Sequence, residues 1–423
     1  MARPLDSMVY VCVATGFNLP LFEACVARRP GDIVLVVSEE RNIKDSARRL
    51  QDELETALPG VRVHRPDLTA NAQALAGDGI MESLAWIQNV LRPCLKQPAL
   101  AGKPRHLNLT GGTKAMSLAL VSAARWDAFD YKAARSQSIE AVELQPDASG
   151  RPRLRPREVL ALTDASPDVV ARLYNDHSQP AARNPLLDAI GAVELAATIW
   201  DGQQSGAAGL TTLFEQLEIV WSHGRDRPEY RHKRVALTLP PQTDFAALDD
   251  WLNRFSRLQA GVLYRDGDQL HLPGNSPAHG ERNIIAWLNA NWLEQLCHRW
   301  LVDGGLPPSA VSLHLTIGPE AKNSASQREA DVLIHYHGQT RLIEVKAGLP
   351  AQREASDLET QVSSLGERFG QSRKALFVSP RLRWQLVTTS RWHSFQARCK
   401  SARVEICTDR QSLLKFAGLL PQD

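Results

Sequence analysis

Two segments near the start of the chain, residues 9–14 (VYVCVA) and 32–38 (DIVLVVS), are almost wholly apolar and rich in β-branched side chains. Strands of that kind have no polar face to give to water, so they must be covered on both sides, as in a parallel sheet between two layers of helix. The intervening sequence supplies those layers. A helical stretch begins at Leu21, and KDSARRLQDELETAL repeats its apolar positions with a helical period and stops at Pro59-Gly60. A short strand at residues 61–64 and a helix around residues 81–91 lead to HLNLTGGTKAMSLALVSAARW, which reads as strand, glycine turn and helix. Residues 1–145 are expected to form a doubly wound α/β domain.

The pattern then changes twice. Residues 146–185 are rich in Pro, Arg, Asp and Ser, which suits a boundary. Helical stretches follow near residues 186–200 and 210–221. FAALDDWLNRFSRLQAG is an amphipathic helix closed by Gly261, and VLYRDGDQLHLPG reads as a hairpin turning at Asp266-Gly267. Helices followed by a hairpin are similar to a winged-helix module, and a plain packing domain fits as well, so residues 146–280 are expected to be a linker and a middle helical, winged-helix-like domain. From residue 281 the order is helix, three strands, helix, strand. The first helix carries Ile284, Leu288, Trp292, Leu296 and Trp300 at i, i+4 spacing and stops at Gly304-Gly305.

Charge limits the partners. Lys and Arg total 49 against 47 Asp and Glu, a net +2, so nucleic acid would have to be met by local patches such as Arg341, Arg368, Arg373 and Lys374. The six cysteines (Cys12, Cys25, Cys94, Cys297, Cys399 and Cys407) form no CxxC pair, which argues against structural zinc and a disulfide framework. No apolar stretch reaches the 18 or so residues of a membrane span. A cytoplasmic protein without a membrane partner is expected.

The densest chemistry lies at Asp331, Glu344 and Lys346. With His337-Gly338 as a two-residue turn, cross-strand partners have numbers summing to 675, which sets Asp331 opposite Glu344. Lys346, two residues on, projects to the same side. Glu344 and Lys346 in the otherwise apolar strand LIEVKAG need a partner or an ion, and the hard oxygen ligands of Glu344 and Asp331 suit Mg²⁺ or Mn²⁺. Glu329 shares the strand face of Asp331, Gln361 on the following helix is placed to meet a phosphate or water, and His335 and His337 are expected to be exposed. The arrangement resembles the PD-(D/E)xK nuclease superfamily, with Asp331 as the first acidic position and Glu344-Val345-Lys346 as its ExK part. That resemblance implies a restriction-endonuclease-like α/β domain over residues 281–423. It also implies a metal held by Asp331, Glu344, the Val345 carbonyl and Glu294, with Lys346 beside it. Glu294 also reads as a surface residue paired with His298.

NLTGGTKAM (residues 108–116) sits where a strand gives way to a helix, with Lys114 at the helix start. It lacks the spacing of a Walker A loop and of a dinucleotide fingerprint. Thr15-Gly16-Phe17-Asn18 follows the first strand, and in a parallel sheet both loops share one edge. Together they resemble the CARF domain, a Rossmann-like CRISPR-associated sensor of cyclic oligoadenylates. The pairing of both domains resembles the ancillary nucleases of type III CRISPR systems. It implies a homodimer in which Thr15, Gly16, Asn18, Gly111, Gly112, Thr113 and Lys114 line a site for cyclic tetra-adenylate, which activates cleavage of DNA or RNA. Two other readings remain open here: a ligand-responsive transcription regulator that binds DNA through the middle segment, and a restriction-type nuclease without second-messenger control.

Overall fold

In the computed structural model, described residues are 5–68, 79–132, 136–146, 148, 151–175, 177–180, 184–223, 234–274, 281–318, 328–348, 362, 364, 366, 369 and 372–421. The first seven strands make one sheet: β1 (Asp6–Val13), β2 (Pro30–Val36), β3 (Arg62–His64), β4 (Arg105–Asn108), β5 (Ala128–Tyr131), β6 (Ser138–Pro146) and β7 (Pro152–Ala161). Their order is β3-β2-β1-β4-β5-β6-β7, parallel from β3 to β5 and antiparallel from there on. Strand β1 shows why its sequence has no polar alternation. Tyr10 and Cys12 pack under α1 (Leu19–Arg28) and α2 (Arg41–Ala57). Val9, Val11 and Val13 pack on the other side with α3 (Ile80–Trp86), α4 (Arg92–Leu95) and α5 (Lys114–Val121). The boundary near residue 145 falls inside the β6–β7 hairpin of this sheet.

Helix α6 (Pro167–Tyr174) and strand β8 (His177–Pro180) come from the stretch read as a linker, and both serve other parts of the molecule. Val170, Ala171 and Leu173 of α6 join the core beneath α1 and α2, while β8 pairs with a strand of the C-terminal sheet. The middle segment contains α7 (Ala192–Ser205), α8 (Ala208–His223), β9 (Arg234–Thr238), α9 (Phe245–Ser256), β10 (Tyr264–Asp266) and β11 (Gln269–Pro273). Its antiparallel sheet has the order β10-β11-β9. Strand β9 has no counterpart in the sequence reading. The hairpin turns on Gly267 and Asp268, one residue later than expected, because Asp266 pairs with Gln269 and Gly267 takes a φ of +59°.

The C-terminal part opens with α10 (Glu281–Ala286) and α11 (Trp292–Asp303), joined by a π-helical turn at residues 287–291. Strands β12 (Val311–Gly318), β13 (Arg328–Tyr336), β14 (Gln339–Lys346), β15 (Arg373–Val378) and β16 (Val404–Cys407) follow, with α12 (Pro380–Thr388), α13 (Trp392–Ser401) and α14 (Arg410–Ala417). The sheet order is β16-β15-β14-β13-β12-β8. Pairing of β13 with β14 runs from Val332↔Ile343 to Tyr336↔Gln339, the register expected from a two-residue turn. His337 and Gly338 both have positive φ (53° and 64°), as a type I′ turn requires. The helix expected around residues 351–369 lies almost wholly outside the described residues, as do Gln361 and Arg368.

This sheet is buried on both faces. Leu315, Ala330, Leu333 and Leu342 belong to the same core as Tyr10 and Leu35 of the first sheet. Val332, Ile334, Ile343 and Val345 pack with Trp292 and Leu296 of α11 and with the middle segment. The α/β architecture expected from the sequence is present. No described helix is long and apolar enough to cross a membrane.

Asp32 pins the far edge of the first sheet. Its buried carboxylate accepts from Arg62 (2.8 Å through both Nε and Nη2) and from Lys103 Nζ (2.6 Å), and meets His64 Nε2 at 2.9 Å. Burial pushes this carboxyl up, but these partners outweigh it and hold it well below its ordinary value of 3.8. A depressed native pKa gives stability that is present above the unfolded value and lost as pH falls toward the native one. Asp32→Asn is expected to cost about 2 to 3 kcal/mol at neutral pH. It should also flatten the loss of stability between about pH 4 and pH 2 in thermal unfolding.

Candidate nuclease centre and ligand crevice

The hairpin register brings Asp331, Glu344 and Lys346 to one patch at the open end of β13 and β14. Lys346 Nζ donates to Glu344 Oε1 at 2.6 Å and lies 3.9 Å from Asp331 Oδ2. Asp331 Oδ2 also accepts from the Val345 N–H at 2.8 Å, so Val345 helps to orient the carboxylate. Glu344 is 1% exposed. Burial pushes the Asp331 carboxyl well above its ordinary value, the Glu344 charge adds to the rise, and Lys346 works against it. Burial lowers the Lys346 ammonium, but Asp331 and Glu344 outweigh it and leave the pKa raised. Two crowded hard carboxylates beside a retained positive charge form a donor set that suits Mg²⁺ or Mn²⁺.

Glu294 is buried instead of lying on a helix surface beside His298, because β12 packs against α11. Its Oε2 lies 3.0 Å from His314 Nε2 and accepts from Asn291 Nδ2 at 2.8 Å. His314 Nδ1 meets Glu329 Oε1 at 2.7 Å, so one imidazole bridges two carboxylates. Burial opposes the charge on His314, but Glu294 and Glu329 raise its pKa to about 10. Its backbone is left-handed in mid-strand (φ 54°), a conformation that costs energy for a residue with a Cβ. The flanking pairs Leu313↔Val332 and Leu315↔Ala330 set His314 across from Asp331. Sequence reasoning missed this residue, although His314 is the one ionisable side chain in SLHLTIG.

In the first sheet, β1 and β4 are neighbours at the point where the strand order reverses, and the loops after both strands meet there. A Cβ on Gly111 would collide with the Val13 carbonyl oxygen and press on the Thr15 methyl at 3.3 Å, so the two loops touch only because this residue is glycine. Gly112 has a φ of +86°. Thr113 caps α5 by accepting from the Met116 N–H at 3.2 Å, and Gly16, Gly112, Thr113 and Lys114 are exposed along the crevice. Asn18 stands apart from them. It is buried, donates to Ser46, and accepts from the Thr15 N–H at 2.8 Å, so its amide shapes the loop instead of lining the crevice.

A polar joint connects the two regions. Glu23 on α1 is bonded through Oε1 to His335 Nε2 at 2.7 Å, and its Oε2 lies 3.4 Å from Lys132 Nζ. The Lys132 N–H donates to Thr110 Oγ1 at 3.0 Å, just before the two glycines. His335 meets Thr340 across the hairpin, whose turn N–H groups both donate to Asp164 (2.6 and 2.7 Å). The expectation that His335 is exposed is therefore overturned, because α1 of the first domain covers it; His337 is exposed. Glu23, Asp164 and His335 are, among the described residues, the group whose acidic and imidazole atoms lie within 4.8 Å of one another. Lys132 and the two backbone donors already serve those oxygens, so the group reads as a hydrogen-bonded joint and not as an ion site.

The chain shares its fold over its whole length with solved structures. Protein VC1899 from Vibrio cholerae aligns with a TM-score of 0.67 at 15% identity, over 97% of this chain and 96% of that one. Can2 from Sulfobacillus thermosulfidooxidans, solved in complex with cyclic tetra-adenylate, aligns with a TM-score of 0.64 at 16% identity, over 98% and 99%. No protein-family model and no curated protein matches the chain. The likeness shows that the chain has the fold of these two proteins. At this identity it says nothing about individual side chains, which rest on their own geometry.

Gly111 gives a direct check of the crevice. Gly111→Ala is expected to force the TGG loop off the end of β1 at a cost of about 1 to 3 kcal/mol, read as a lowered melting temperature. Gly16→Ala, which meets no atom within 4 Å, should leave the melting temperature close to that of the parent.

Proposed function

We propose that the chain is a cyclic oligoadenylate-activated, metal-dependent endonuclease of type III CRISPR antiviral defence. The observation that carries the reading is a continuous connection. The TGG loop and α1 of the crevice meet, through Lys132 and Glu23, the same β13–β14 hairpin that holds Asp331 and Glu344. The fold shared with a protein solved with cyclic tetra-adenylate supports the same ligand class. Thr15, Gly16, Gly111, Gly112, Thr113 and Lys114 would line its site, and Asn18 would hold the loop that presents them. A ring with rotational symmetry fits two facing crevices of a homodimer, and a preference for one arrangement of the pair would shift the hairpin.

At the acidic patch, Asp331 and Glu344 would hold Mg²⁺ or Mn²⁺. Such an ion supplies charge neutralisation on a phosphate and an acidified water. The Val345 N–H orients Asp331, and Lys346, kept charged by its neighbours, stabilises the developing negative charge on the phosphodiester. Glu294 is near enough for its charge to act on Asp331 and Lys346, and its engagement by His314 and Asn291 makes it a supporting group.

The test is cleavage of plasmid, single-stranded DNA and RNA with and without cyclic tetra-adenylate and Mn²⁺ or Mg²⁺. Glu344→Ala is expected to abolish cutting with ligand binding intact; persistence of cutting in that variant, or in excess chelator, would sink the assignment. For Lys114→Ala, the ligand concentration for half-maximal cleavage should rise roughly ten- to a hundred-fold, with the maximal rate recovered at saturation. Glu23→Gln keeps the shape of the joint and removes its charge. It should leave ligand affinity near normal and shrink the ratio of activated to basal cleavage, and an unchanged ratio would remove the joint from the coupling.

A further inference from the structure

We propose that the exposed face of α12 and α13, centred on Trp384, grips a single nucleic-acid strand beside the acidic patch. The inference rests on the nuclease reading and adds to it a surface outside the catalytic groups. Between Glu367 and Glu405 the chain has nine Arg or Lys residues and no Asp or Glu, in a protein whose whole charge is +2. Helices α12 and α13 turn Leu382, Leu386, Phe395 and Cys399 into a core, so their cations collect on the opposite face. Arg383 on α12 and Lys400 on α13 are exposed, as are Arg391 and Arg403 just beyond the two ends of α13, and none of the four appears in an ion pair among the described residues. Arg381 and Arg373 differ, being engaged by Glu218 and Glu405.

Trp384 is 62% exposed and Val387 51%, on a helix whose core is already supplied by its other side. Nothing in the packing accounts for an indole left in water. A second aromatic is close by, since the Arg383 guanidinium lies 5.9 Å from the centre of the Trp392 ring. Placement ties this face to the patch. The Ser379 N–H donates to the Lys346 carbonyl at 3.0 Å, its hydroxyl donates to the Ala347 carbonyl at 2.6 Å, and α12 begins at the next residue. Trp384 is therefore only about 7 Å of helical rise beyond the residue tied to Lys346.

Cations spaced along a surface follow a phosphate backbone, and an exposed indole offers a base a stacking partner that does not depend on sequence. A duplex hides the faces of its bases, so it would use the cations and not Trp384. An acidic protein would match the charge and leave the indole without a stacking role. A second copy of the chain would set the same cations against each other across a symmetric contact.

The experiment uses the full-length protein in chelator, without activator, and follows the anisotropy of labelled oligo-dT, oligo-U and a blunt duplex of equal length. Trp384→Ala is expected to weaken binding of one or both single strands by about ten-fold and leave the duplex nearly unchanged. Trp384→Phe should restore most of the affinity. Removing Arg383, Arg391 and Lys400 together should weaken all probes and reduce the salt slope by about two. The proposal is overturned if wild type binds neither single strand, if Trp384→Ala binds both as wild type does, or if that variant changes the sedimenting mass and not the affinity. The two readings fail separately. Trp384-dependent binding without any activated cleavage would sink the nuclease and keep the surface, while full activated cleavage by Trp384→Ala at limiting substrate would do the reverse.

Discussion

The β13–β14 hairpin is the element that the other parts of this structure are built around, and the constraint on it is the pairing register. Two residues with positive φ, His337 and Gly338, close the hairpin, and from there every pair along the ladder is determined. One end of the hairpin thereby sets Asp331 and Glu344 together. The other end sets His335 against Glu23 of the first domain and presents two turn N–H groups to Asp164. A slip of one residue would turn Leu333 and Leu342 away from the first domain and break both polar ends at once.

Burial on both faces explains why such a hairpin can hold charges. One face packs with α6 and the core it shares with α1 and α2 of the first domain, the other with α11 and the middle segment. Inside that setting a carboxylate is tolerated only with partners, and each has them: Glu344 has Lys346, Asp331 has the Val345 N–H, and Glu294 has His314 and Asn291. Burial pushes the Asp331 carboxyl upward, and the crowded like charges of Glu344 and Glu294 add to the rise. Structural strain is found in the same place, in the left-handed backbone of His314.

The crevice of the first domain is organised differently. Its residues are mostly exposed, and its shape comes from backbone fit: a glycine that lets one loop rest on the end of β1, a threonine that caps α5, and a buried asparagine that ties the other loop to α2. Loops of this construction depend on main-chain geometry more than on side-chain packing, so they can change conformation without unfolding the core beneath them.

Local periodicity and turn chemistry were enough, from the amino-acid sequence alone, to determine the parallel sheet, the edge shared by both loops, the hairpin register and the meeting of Asp331, Glu344 and Lys346. The register and the meeting of the three side chains depend on residues that are neighbours along one strand or across one tight turn, so spacing carries the information, while the parallel sheet and its loop edge follow from apolar strands that alternate with helices. Strand β9, the docking of β8 onto β12, the burial of His335 and the bridging role of His314 were decided by tertiary structure. These arise where segments more than a dozen residues apart, in some cases several hundred, come together. His335 and Glu23 are separated by 312 positions, and no pattern local to either one records that they touch. Asn18 shows the same limit in reverse, since its place in a loop motif suggested a ligand contact while its amide was claimed by Ser46 on a helix that the motif does not contain.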